Sequence, residues 1–136
     1  MPTVLIEVRR RYSQAEEVAI IDAVHGALVV AFQTPAEDKN VRLVVHEPHR
    51  FAVPEKLVQP EYRTLVSIDC FTGRTLEVKR KLYAEIVERL ATLGIPADHV
   101  MITLHEVDRE NWGIRGGQAA SDVDLGPLGS FSPGLR

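Results

Sequence analysis

Residues 2–13, PTVLIEVRRRYS, align without a gap on residues 64–75, TLVSIDCFTGRT. This internal repeat constrains the fold more than any other feature of the chain. Val4, Ile6 and Val8 fall on Val66, Ile68 and Cys70, and both segments alternate in hydrophobicity as a strand with two distinct faces does. Each segment ends at a hydroxyl residue, Ser13 or Thr75, and a helical pattern follows. Ser13-Gln14-Ala15-Glu16 has the form of a capping box, in which hydroxyl and carboxylate satisfy free N–H groups of the first turn. The first helix is expected to bury Val18, Ile21, Val24, Leu28 and Phe32, and the second Leu76, Tyr83, Ile86, Leu90 and Leu93. Outside the second helix, Glu77–Lys81 and Glu85–Arg89 stand at i, i+4, and Gly94 is placed to end it.

The repeat continues after each helix. PAEDKNVRLVVHE (35–47) resembles PADHVMITLHE (96–106), each a turn and then a strand ending in His-Glu. The chain therefore reads as β-α-β twice, and each crossover makes its two strands parallel. Two such units side by side give an α+β fold, a four-stranded mixed sheet with both helices on one face. We expect a single domain: unit one over about 2–48, a connecting segment over about 49–63, unit two over about 64–107 and a C-terminal segment over 108–136. Pro54 and Pro60 argue against a long helix or central strand in the connection, which reads as a loop with a short hairpin. The sheet face opposite the helices is left open, and self-association would cover its apolar residues.

Composition excludes several classes of function. A net charge of −3 gives no general nucleic-acid surface. The single cysteine, Cys70, allows neither an intrachain disulfide nor a cysteine-rich zinc site, and no histidine spacing matches a metal ligand set. No apolar run is long enough to cross a membrane, and the start of the chain does not read as a signal peptide. The expected location is the cytoplasm. The end of the chain, 126–136, has the composition of a flexible tail, and its Gly-Pro-Leu-Gly-Ser run looks like a protease-site remnant.

Pro2 has two readings. As an ordinary residue it opens a strand, where a missing N–H is tolerated. With Met1 removed, it carries a secondary amine able to act as base, acid or nucleophile. If a pseudo-twofold axis relates the units, the two first strands run antiparallel and the start of one meets the end of the other. Pro2 then faces Phe71-Thr72-Gly73-Arg74. An amine beside a guanidinium and a helix N-terminus suits a carboxylate with a carbonyl near it. The equivalent position in unit two is Thr64, so each chain should hold one such site.

MPTVLIEV, DAVHGALVVAFQTPAEDK (22–39), VVHEP (44–48), GRTLEVKR (73–80) and ENWGIRGG (110–117) together resemble the tautomerase superfamily. The nearest likeness is to its fused two-unit members, in particular malonate semialdehyde decarboxylase and its uncharacterised relatives. The resemblance covers roughly residues 2–120. It implies a trimer acting on a small carboxylate, with Pro2 as catalytic amine, Asp38 as an acid assisting beside it and Arg74 as the carboxylate-binding arginine. The decarboxylase has a second arginine where this chain has Thr72. Where the family often reads Trp-Ser-Phe-Gly, this chain has Trp112-Gly113-Ile114-Arg115. Trp112 would form an aromatic wall, Ile114 would take the phenylalanine's place, and Arg115 would add a cation.

The resemblance implies a cofactor-independent tautomerase for a small oxo or unsaturated carboxylic acid. The alternatives are a decarboxylase or hydratase of the malonate semialdehyde type, and a binding module without turnover. Other polar residues read as structural. His25 falls on an apolar stripe and reads as a hydrogen-bonded core histidine. His46 and His105 occupy equivalent strand ends. Arg9-Arg10-Arg11 reads as a solvated strand end, Cys70 as core, and Arg74 as a loop residue whose removal would leave stability largely intact.

Overall fold

The computed structural model describes residues 2–125; the expected flexible tail lies outside the described residues. Six-residue strand β1 (Thr3–Val8) leads into helix α1 (Gln14–Phe32) and strand β2 (Val41–Val45). Strand β3 (Thr64–Phe71), helix α2 (Leu76–Ala91) and strand β4 (Val100–Val107) repeat the pattern. The strands form one mixed sheet in the order β2-β1-β3-β4. β1 is parallel to β2 and β3 to β4, while β1 and β3 run antiparallel with Thr3 opposite Asp69 and Val8 opposite Thr64. The expected α+β sandwich and its pseudo-twofold relation are therefore both present.

Local chemistry fixes the helix ends. At the start of α1 the Ser13 hydroxyl accepts from Glu16 N–H and the Glu16 carboxylate accepts from Ser13 N–H, completing the capping box. Thr75 caps α2 through Val78 N–H. After α2, Gly94 N–H reaches Ala91 O and Ile95 N–H reaches Leu90 O. Gly94 has φ +89°, the left-handed conformation that such a helix end requires.

The core lies between the helices and one face of the sheet. Val4, Ile6, Val8, Val66, Ile68 and Cys70 point into it from the two central strands. The helix stripes differ from expectation by one or two positions. α1 buries Ile20, Val24, Ala27, Leu28, Ala31 and Phe32, whereas Val18 is 50% exposed. α2 buries Leu82, Ile86 and Leu90, whereas Leu76 is 56% exposed. Val18 and Leu76 stand near the starts of their helices, and Leu93, also expected in the core, lies beyond the end of α2 and is exposed. Glu77 pairs with Arg80 rather than Lys81, while Glu85–Arg89 forms as expected.

The connecting segment contains 3₁₀ turns at Pro48–Arg50 and Pro60–Tyr62 rather than a hairpin. A hairpin occurs instead in the C-terminal segment. There β5 (Gly113–Ile114) and β6 (Gln118–Ala119) flank Arg115, Gly116 and Gly117, all at positive φ. No helix among the described residues is long and apolar enough to cross a membrane.

Candidate active site

Pro2 is buried at the amino end of β1. Two neighbours meet it there. On one side, Val4 N–H donates to Asn40 O at 2.9 Å, and Pro2 and Asp38 each stand two residues earlier in their chains. On the other side, Thr3 pairs with Asp69, so the carboxyl end of β3 and the turn after it lie alongside. The same sheet end thus carries Pro2, the Asp38 turn and the Thr72–Arg74 turn.

Arg74 is 5% exposed, which corrects its reading as a loop residue outside the core. Its guanidinium lies 4.0 Å from the centroid of the Phe32 ring at the end of α1, and Nη1 donates to Phe71 O at 3.3 Å. Burial lowers its pKa from the ordinary arginine value, with Cys70 and Glu106 opposing. Arginine is basic enough to remain a cation at neutral pH regardless. The same burial pushes the Cys70 thiol up, against the Arg74 cation. Gly73, just before Arg74, has φ +124°, a backbone that residues with a Cβ rarely adopt.

The Asp38 turn is held to α1 at several points. His25, buried as expected, donates from Nε2 to Ala36 O at 2.8 Å, since a carbonyl only accepts. Lys39 forms an ion pair with Asp22. Asp38 N–H donates to Pro35 O, and Asn40 Nδ2 donates to Asp38 Oδ1 at 2.8 Å.

Trp112 packs edge-on against Phe71 with centroids 5.1 Å apart, and its Nε1 donates to Val107 O at 3.0 Å. Ile114 and Ala120 join this small cluster. A cleft of about 260 Å³ opens between Asp69, Val107, Asn111 and Trp112. The hydroxyl of Thr72 donates to Asp108 Oδ1 at 2.8 Å, tying the turn to the segment that carries Trp112. Arg115 is exposed at the tip of the β5–β6 hairpin, with its carbonyl accepting from Gln118 Nε2. Trp112 and Ile114 thus border Phe71.

The opposite end of the pseudo-twofold holds different chemistry. Thr64, in the place of Pro2, donates its hydroxyl to Tyr62 O. Tyr12, in the place of Arg74, is pushed up to about pKa 12 by burial. Asp98, the counterpart of Asp38, accepts from Nδ1 of His99, and Nε2 of His99 accepts from Gln59 N–H. His99 is 1% exposed and serves the connecting segment. The open sheet face carries a second symmetric pair of contacts, His46–Glu7 at 2.9 Å and His105–Asp69 at 3.1 Å.

Sequence reading alone missed Phe32 as the platform under Arg74, Asn40 as a partner of Asp38, and the Thr72–Asp108 bond. Phe32 was legible only as one member of an apolar stripe. The other two join residues whose proximity depends on the fold.

Comparison with known proteins agrees with this geometry. Residues 38–115 match the family described as tautomerase enzyme. A probable tautomerase from Ralstonia nicotianae is 34% identical over 53 residues, covering 38% of this chain and 76% of that protein. Among solved structures, FG41 malonate semialdehyde decarboxylase inhibited by 3-bromopropiolate is 29% identical with a TM-score of 0.73, covering 90% of this chain and 98% of that one. A fused 4-OT asymmetric trimer is 21% identical with a TM-score of 0.79, covering 88% and 97%. The chain belongs to the tautomerase superfamily.

Proposed function

We propose that this protein is a cofactor-independent tautomerase of a small oxo or unsaturated carboxylic acid. The observation that carries this reading is the buried Arg74 guanidinium, stacked on Phe32 at the sheet end that also holds Pro2 and Asp38. A buried cation already fixed in position binds a carboxylate or an enolate oxygen without having to be ordered first. Removal of Met1 gives Pro2 a secondary amine. As base it takes a proton from the carbon next to the carbonyl. The electron pair moves to the oxygen facing Arg74, and the amine returns the proton to that oxygen. The reverse sequence converts enol to ketone. Trp112 and Ile114 supply the apolar wall. Turnover of phenylenolpyruvate by protein with a confirmed amino-terminal proline tests this reading; no turnover above the solvent rate overturns it.

A second reading, decarboxylation or hydration of the malonate semialdehyde type, is favoured by the likeness to the decarboxylase and by Asp38, which can place a water. Thr72 counts against it, since its hydroxyl is engaged by Asp108 where the decarboxylase has an arginine. For assembly, we propose a homotrimer that covers the open sheet face. Leu5, Val44, Leu65 and Met101 share that face with the two histidine–carboxylate pairs, and Val44 and Met101 are exposed. A trimeric relative supports this choice. Sedimentation at micromolar concentration should give three chains; a stable monomer would contradict it.

A further inference from the structure

We propose that a cleft beside Arg50 binds a small carboxylate with a flat apolar body, as a second site apart from the Pro2 end. The inference rests on the proposed function's reading of the Trp112 cleft as part of the active site. The Arg50 cleft has a volume of about 260 Å³ and is lined by Glu7, His46, Arg50, Phe51, Ala52 and Leu65. It is the pseudo-twofold counterpart of the Trp112 cleft, which has the same volume. Glu7 occupies the place of Asp69 and His46 that of His105, and each histidine bonds its carboxylate. A 3₁₀ turn follows each histidine, Pro48–Arg50 or Arg109–Asn111, and ends at an aromatic residue, Phe51 or Trp112. Arg50 therefore stands where the other cleft has Asn111.

The two ends thus differ in which element carries a cation. At the Pro2 end Arg74 precedes α2 and Asn111 is neutral. At the other end Tyr12 takes the place of Arg74, and Arg50 takes that of Asn111. Other arginines at this end are engaged: Arg10 lies over the rings of Tyr12 and Tyr62, and Arg11 is paired with Glu47. Arg50 is exposed and makes no ion pair among the described residues. Its planar fork matches a carboxylate. The acid of the cleft, Glu7, accepts from Nε2 of His46 at 2.9 Å, which leaves the Arg50 fork to an incoming anion. Phe51 is buried edge-on to His46, with centroids 5.3 Å apart. With Ala52 and Leu65 it gives the cleft an apolar floor beside one cationic anchor, the usual make-up of a small-molecule site. The proposed homotrimer covers the open sheet face, so the competing occupant of the cleft is a neighbouring chain.

The test titrates phenylacetate, which has a carboxylate and a ring but no keto group, into nitrogen-15-labelled protein. The Phe51 and Ala52 amides should shift and saturate. Arg50→Ala should raise the midpoint of those shifts about tenfold, as loss of a charged hydrogen-bonding partner does. Arg50→Gln carries the same test should Arg50→Ala lose its cooperative thermal transition. Arg74→Lys should leave the midpoint at Phe51 and Ala52 within about twofold, because that substitution lies at the other end of the sheet. Absence of saturable shifts in the parent protein overturns the proposal, and so does an unchanged midpoint in the Arg50 variant. A midpoint that moves with Arg74→Lys also overturns it, since the two sites would then be one. Sedimentation of Arg50→Ala as a smaller species than the parent overturns it as well, by assigning the cleft to a neighbouring chain. Absence of turnover on phenylenolpyruvate would count against the proposed function alone, because the titration needs no reaction.

Discussion

The guanidinium of Arg74 stacks on the ring of Phe32, 4.0 Å from its centroid, and this contact joins the two halves of the repeat at one end of the sheet. Arg74 belongs to unit two and Phe32 to unit one. The contact places an aromatic face against a buried cation, an interaction of about 2 kcal/mol when desolvated, while Nη1 donates to Phe71 O.

Arg74→Ala is therefore expected to have two effects. kcat/KM should fall at least about 100-fold, or about 2.7 kcal/mol of transition-state binding. Stability should also fall, by about 1–2 kcal/mol, because packing is lost with the charge. Arg74→Lys should recover most of the stability and little of the activity, since a point charge lacks the planar fork. Denaturant melts and steady-state kinetics on the same preparations check both. Near wild-type turnover in Arg74→Ala would remove Arg74 from the site.

Much of this fold was readable from two aligned segments. The alternation of Val4, Ile6 and Val8 and of Val66, Ile68 and Cys70 gave the central strands, because a two-residue period has one structural meaning. The capping box at Ser13 gave the start of α1. The burial of Arg74 was not readable. A Gly-Arg-Thr turn before a helix looks the same whether its arginine points to solvent or folds back under an aromatic ring, and only the meeting of the units decides. The stripe positions of Val18 and Leu76 failed for a related reason: helical periodicity gives the buried face but not where along the helix contact begins.

Gly73→Ala should distort the turn that aims Arg74. A φ of +124° is rarely open to alanine, and such strain costs about 1–3 kcal/mol. We expect a Tm lower by several degrees and a loss in kcat/KM larger than the stability loss alone explains at 25 °C. A thermal scan and kinetics well below Tm separate the two. An unchanged Tm would contradict the strain argument.

Asp38→Asn should damage decarboxylation or hydration more than enol-to-ketone conversion. The first two reactions need a placed water or a balanced charge, and the third needs mainly the proton carrier. Parallel assays on malonate semialdehyde and phenylenolpyruvate give the ratio. Equal losses would mark Asp38 as a residue of the turn alone.

Tyr12 provides a pH-dependent check on the other end of the pseudo-twofold. Its folded pKa is about 12 against an ordinary value of 10.0. A raised folded pKa contributes stability that is fully present below pH 10 and is lost as pH rises toward 12, amounting to about 2 kcal/mol. The hydroxyl of Tyr12 is buried with no hydrogen-bond partner among the described residues. Tyr12→Phe should therefore leave stability at pH 7 unchanged or slightly higher and should flatten its fall between pH 10 and 12. Urea melts across that range check the slope; an unchanged slope would show that Tyr12 does not contribute.

The central claim is that Pro2 works as a neutral amine. An ordinary α-amino group titrates near about 7.7–8.0, and a secondary amine starts somewhat higher. Burial of Pro2 and the Arg74 cation both disfavour the protonated amine, and Asp38 favours it. We expect burial and the cation to prevail, so that the amine is largely neutral at pH 7 and kcat/KM rises with pH through its midpoint. The most direct measurement is the nitrogen-15 titration of Pro2 in protein whose mass shows Met1 removed, set beside the pH dependence of kcat/KM for phenylenolpyruvate. The account predicts one shared midpoint below neutrality. A midpoint well above pH 8 would contradict it, making the amine a cation at working pH and favouring the decarboxylase or hydratase reading.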